Sequence, residues 1–282
     1  YKNIFVKENL MPNTRTRRRG NRYRSSLYRV RFLEDLRDFP DAPSMLSEGD
    51  SWFGYPIGKD LNDHIAELGS FNIRHFQKAG DELVEDMMGA EQLAKITKAL
   101  KTFQFDVMIY SGGGNDIVAE NLTNYILDDD SGIGPYGRIN EATTLARIDE
   151  LKNKYLELVS IVNTHQKSCP IVVHGYDKII PSDKGFELAG FKLAGPWVKP
   201  TLDEKGVPIE QQADVINHIM DMFNDMLADL QDSNRDFHYV DLRGTLTSIS
   251  SWANEIHPTS SGFKKLAQHY DSVLRQIVPR GF

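Results

Sequence analysis

Short, nearly continuous apolar runs alternate along this chain with longer segments whose apolar residues recur at three- and four-residue intervals. The first pattern suits strands buried on both faces, and the second suits amphipathic helices lying over them. Strands are predicted in "PSMLSEGDSW", ending near Glu48, and at 71–77, 105–111, 170–176 and 236–242. Helices are predicted at 59–68, at 81–103 with a break at Gly89, and at 141–167, 209–232 and 261–277. Such alternation predicts parallel strands joined by helical crossovers, here a three-layer α/β/α sandwich around a five-stranded parallel sheet.

Two connections, 117–140 and 177–208, are too long and too rich in Gly and Pro for simple crossovers. Loops of that length are commonly functional. The second carries Phe186, Phe191, Pro196 and Trp197, which either wall an apolar pocket or seal the edge of the sheet. With 282 residues and 40% apolar content, the chain can bury the core of one large α/β domain, assigned to 36–282.

Charge divides the chain differently. Residues 1–31 hold ten Lys or Arg against the single acid Glu8, a balance of +9, which leaves −16 on the rest. Residues 1–35 therefore read as a basic arm, either solvated or packed on the acidic body, with contact to phosphates or anionic lipid as the alternative. The acidic body argues against broad nucleic-acid binding, and no apolar stretch is long enough for a transmembrane anchor. Cys169 is the only cysteine, so neither an intrachain disulfide nor a four-cysteine zinc site is available. That suits a reducing compartment, favours the cytoplasm and leaves export open.

Candidate chemistry lies where predicted strands end, the usual place for sites in open α/β sheets. "GDSW" puts Ser51 at a strand-to-helix turn with a backbone N–H outside any ladder; "AGDEL" offers the bare N–H of Gly80. "SGGGND" lets the chain pass close to a reacting group and aims the Asn115 amide inward; it lacks the lysine of a P-loop. "NEIHP" sets His257 ahead of the last helix, with Pro258 suited to its opening position. Singly, each stretch reads as a helix cap or turn.

In this order the four stretches resemble the blocks of the SGNH hydrolases, or GDSL-type esterases, over about residues 44–265. The resemblance implies a flavodoxin-like sheet, a Ser51 nucleophile, a His257 base, and an oxyanion hole from the Ser51 N–H, the Gly80 N–H and the Asn115 side chain. It implies hydrolysis of a small-molecule or glycan ester with no metal or organic cofactor. Acyl transfer to another alcohol and a catalytically silent binding protein are the alternatives. The family commonly places Asp three residues before the His, where this chain has Asn254. Asn254 is the leading candidate to orient the ring, ahead of Glu255 and Asp241. Asp50 and Asp116 are expected to shape loops, and Trp52 and Trp252 to line the cleft or pack in the core.

Overall fold

The computed structural model describes residues 25–129, 137–188 and 191–281. Its elements run in the order α1 (Ser25–Asp38), β1 (Ser44–Gly49), α2 (Leu61–Leu68), β2 (Asn72–His75), α3 (Ala90–Thr102), β3 (Val107–Ser111), α4 (Glu141–His165) and β4 (Ile171–His174). There follow β5 (Phe186–Leu188), β6 (Phe191–Ala194), α5 (Lys199–Glu204), α6 (Ile209–Ser233), β7 (Phe237–Val240) and α7 (Ser260–Ile277).

Five strands form one parallel sheet in the order β2-β1-β3-β4-β7. Every residue of β1, β3 and β4 is buried, as central strands covered on both faces require, and β1 carries Ser44, Ser47 and Glu48 into that interior. α2 packs with α7, while α4 packs with α3 and α6, giving the two helical layers. The chain moves outward from β1 to β2 and then crosses back to β3, so a crevice opens between the carboxyl ends of β1 and β3.

All five predicted strands and five predicted helices are present, with ends shifted by a few residues. The break at Gly89 is real: a π-helical turn, Leu83–Met87, precedes α3, for which Gly89 is the N-cap. Three stretches differ from expectation. The last third of the expected arm is helix α1, because Phe32 inserts between Phe103 and Phe105, with ring centroids 5.1 and 5.8 Å away. Most of the arginine run lies outside the described residues. The 177–208 connection contains the antiparallel hairpin β5–β6 and the short helix α5. Finally, α7 opens at Ser260 rather than at Pro258, since the Thr259 hydroxyl accepts from the Gly262 N–H at 3.1 Å and caps the helix.

Candidate active site

Ser51 follows β1 on a turn held from three sides by the Asp50 carboxylate. Asp50 accepts from the Trp52 N–H at 2.9 Å, the Ser111 hydroxyl at 2.8 Å and the Tyr176 hydroxyl, tying the end of β1 to those of β3 and β4. Burial pushes the Asp50 carboxyl up to about 6 in spite of these donors. The Trp52 indole N–H donates to the Ile256 carbonyl at 3.0 Å, joining the Ser51 turn to the loop of His257.

That loop is closed by a bridge between Trp252 and Pro258 and by the Ala253 N–H donating to the His257 carbonyl at 2.8 Å. It carries the imidazole to Ser51, with His257 Nε2 2.7 Å from Ser51 Oγ. On the other side of the ring, Nδ1 lies 3.0 Å from Asn254 Oδ1. The tautomer follows from a second pair of bonds. Asn254 Oδ1 also accepts from the backbone N–H groups of His257 at 2.9 Å and Ile256 at 3.2 Å, so this atom is the amide oxygen. Nδ1 must therefore donate, and Nε2 is left as the acceptor for the Ser51 hydroxyl. The Asn254 amide N–H₂ points the other way and donates to the Tyr55 hydroxyl at 3.3 Å.

Two aromatic rings enclose the imidazole. Tyr55 lies tilted against it at 4.7 Å between centroids, and Trp197 meets it edge-on at 5.2 Å. His257 is only 4% exposed, and burial lowers it to about 3, with no neighbouring charge to oppose the shift. Sequence reasoning missed Tyr55, since no periodicity or motif connects it with a partner 199 positions away.

The oxyanion-hole candidates lie on loops that are pinned together. The Lys78 N–H donates to the Gly49 carbonyl at 2.8 Å, and Asn115 Nδ2 donates to the Asp81 carbonyl at 2.9 Å, so Gly80 sits between two ties to the ends of β1 and β3. Gly80 has φ +88°, and a Cβ there would meet nothing within 4 Å, so glycine serves the backbone conformation rather than space. Among the described residues, neither the Ser51 N–H nor the Gly80 N–H makes a hydrogen bond. Asn115 keeps its second amide hydrogen.

The glycines of "SGGGND" differ from expectation. A Cβ at Gly113 would come within 2.6 Å of the Phe223 ring, and one at Gly114 within 2.7 Å of the Tyr176 ring. They admit aromatic side chains under the loop rather than a reacting group over it. Asp116, fully buried, accepts from the Leu83 N–H at 2.6 Å and the Val84 N–H at 3.1 Å and pairs with Arg147 at 2.9 Å. It shapes a loop, as Asp50 does.

Of the alternative orienting groups, Glu255 turns away and accepts from the backbone N–H groups of Ser182, Trp197, Val198 and Lys199. Asp241 is engaged with Arg243. Phe186 packs against Tyr55 at 5.7 Å, so with Trp197 it lies at the wall of the site. Trp52 is core, stacked on His174 at 5.4 Å while also lining a small cavity of about 20 Å³ beside Ser51. Trp252 is buried in the His257 loop. Among the described residues, no three His, Cys, Asp or Glu side chains are grouped to hold a metal ion, and no helix is long and apolar enough to cross a membrane.

No family model and no curated protein matches the chain. Among solved structures it is similar to the lipase Lip_vut3 from a goat rumen metagenome, at 13% identity over 82% of this chain and 97% of that one, with a TM-score of 0.53. It is also similar to a member of the lipolytic protein G-D-S-L family from Veillonella parvula, at 14% identity over 83% and 98%, with a TM-score of 0.50. It spans about half of a GDSL-like lipase from Bacteroides ovatus: 54% of that chain and 84% of this one, at 9% identity and a TM-score of 0.49. With its sheet order β2-β1-β3-β4-β7 and helices on both faces, the chain has the fold of the SGNH hydrolases.

Proposed function

We propose that this protein is a serine esterase that cleaves carboxylic esters through an acyl-enzyme on Ser51. The observation that carries this reading is the 2.7 Å contact between Ser51 Oγ and a His257 Nε2 left as acceptor by Asn254. Ser51 Oγ attacks the ester carbonyl carbon as its proton passes to Nε2. The carbonyl oxygen becomes an oxyanion, which the Ser51 N–H, the Gly80 N–H and the free hydrogen of Asn115 Nδ2 are available to stabilise. Collapse of the tetrahedral species breaks the bond to the alcohol, and Nε2–H protonates the departing oxygen. Water then attacks the acyl carbon, giving its proton to Nε2, and the carboxylic acid leaves as Ser51 recovers its own.

Asn254 fixes the ring but brings no negative charge to the imidazolium formed in each half-reaction. In our reading the face of Tyr55 supplies part of that stabilisation, as aromatic faces attract cations where water is excluded. The cavity beside Ser51, lined by Val118, Ile179, Met220 and Ile256, has room for about a methyl group or one water. This supports a short acyl chain.

A fluorophosphonate probe followed by peptide mapping tests the proposal. Label is expected on Ser51, with labelling and nitrophenyl acetate turnover lost in Ser51→Ala and reduced at least about 10⁴-fold in His257→Ala. Turnover equal in wild type and Ser51→Ala, with no labelled serine, would overturn it.

A further inference from the structure

A second concave surface, a groove of about 1080 Å³, runs between α1, the end of β2 and α3. Five cations line it, Arg29, Arg74, Lys78, Lys95 and Lys98, against one acid, Asp81. This balance is opposite to the net −7 of the whole chain. Asp81 is taken by Lys78, and Lys95 pairs with Glu91 at 2.7 Å. Arg29, Arg74 and Lys98 have no ion pair among the described residues.

Arg74 is the most unusual of the three. It is 8% exposed, and among the described residues the only hydrogen bond of its guanidinium is the one Nη1 donates to the His75 carbonyl at 2.9 Å. The guanidinium carbon lies 4.1 Å from the centroid of the Phe76 ring. Burial, and after it the charge of Arg29, bring Arg74 down to about 10. A buried guanidinium beside a second cation and without a carboxylate is unfavourable unless something else supplies the negative charge. The groove also has an apolar side formed by Leu33, Phe76 and Phe103, and Leu33 is 42% exposed.

We infer that this groove binds an organic anion, a phosphate, sulfate or carboxylate group carried on an apolar body, with Arg74, Arg29 and Lys98 on the charged group. Arg74 offers a fork of N–H donors suited to such a group, and the apolar side covers the rest of the ligand. Three elements far apart in sequence contribute the cations, so the site exists only in the folded chain. It also continues the basic character of the arginine-rich segment that leads into α1. The groove borders the 78–81 loop that carries Gly80, but Arg29, Arg74 and Lys98 take no part in the proposed ester chemistry, and the test reads binding alone.

Calorimetric titration of the full chain with octyl phosphate, inorganic phosphate and uncharged octyl glucoside tests this inference. Octyl phosphate is expected to bind at least about tenfold more tightly than either of the others, and less tightly as salt is raised. Arg74→Met and Lys98→Met are each expected to weaken it about tenfold. Octyl glucoside binding as tightly as octyl phosphate would overturn the inference, as would octyl phosphate affinity unchanged in both variants. Lys98 is exposed, so its variant keeps the test decisive if Arg74→Met fails to fold.

Discussion

A single amide decides how the imidazole of His257 is set. In serine proteases an asparagine in the place of the orienting aspartate costs about 10⁴ in kcat, because the ring takes the wrong tautomer. Here two backbone N–H groups hold Asn254 Oδ1 toward the ring, and the tautomer is the useful one. Asn254→Ala should therefore lower kcat, though less than His257→Ala does. With His257 lowered to about 3, its base form is complete far below neutrality, so kcat/KM should stay flat from pH 8 down to about 5. Asn254→Asp adds a carboxylate against Nδ1 and should raise the acid limb by about one to three pH units. An unmoved limb in the pH–rate profile would show that Asn254 does not control the ring. Tyr55→Leu should lower kcat about tenfold with KM little changed, while Tyr55→Phe, which keeps the ring, should retain most of the rate. The proposed roles of Ser51, Asn115, Asn254 and His257 could be read from the sequence because the first two follow predicted strands and the last two lie just ahead of the last helix. That of Tyr55 could not, because it comes from packing.

At the scale of elements, strands and long helices were legible because β1, β3 and β4 are buried on both faces and the helices are amphipathic or long. Helix α1 was hidden under its arginines, and β5 and β6 are too short to show a period inside a Gly- and Pro-rich connection. Glu255 ties two parts of that connection together, its carboxylate accepting from the backbone N–H groups of Ser182, Trp197, Val198 and Lys199. Its burial is complete, and desolvation raises the carboxyl despite those donors. Glu255→Ala would leave the N–H groups without partners and release the segment that holds Trp197 against His257. We expect a loss of at least about 3 kcal/mol in urea unfolding, together with a fall in kcat. A variant as stable as wild type would show that the segment is held by other contacts.

Across the whole molecule, buried ionisable groups set how stability depends on pH. Burial raises Glu48 from its ordinary 4.5 to about 8; one of its oxygens accepts from Gln92 at 2.7 Å and the other has no hydrogen-bond partner among the described residues. Between those values the folded chain keeps a proton that the unfolded chain has released, so this contribution is greatest on the acid side and is lost as pH rises. Asp50 and Asp116, each raised to about 6, behave the same way at lower pH. His174 and His257, lowered to about 4 and about 3, act in the opposite sense, and their contribution is lost as pH falls below the ordinary 6.5. From pH 6.5 to 8 the Glu48 contribution should fall by about 2 kcal/mol, offset in part by the two histidines, which in the unfolded chain finish losing their protons over the same range. Glu48→Gln should remove that fall and be the more stable form at pH 8, as urea unfolding at the two pH values would reveal. The same slope in Glu48→Gln would place its origin elsewhere.

Ser51 and His257 are separated by 206 positions along the chain, and the histidine loop is fastened just ahead of the last long helix. In the proposed mechanism a nascent polypeptide emerging from the ribosome therefore carries Ser51 as an ordinary alcohol until at least 206 further residues have been made. On that mechanism reactivity arrives only when the closing loop docks, so partly made or partly unfolded copies would not capture acyl groups.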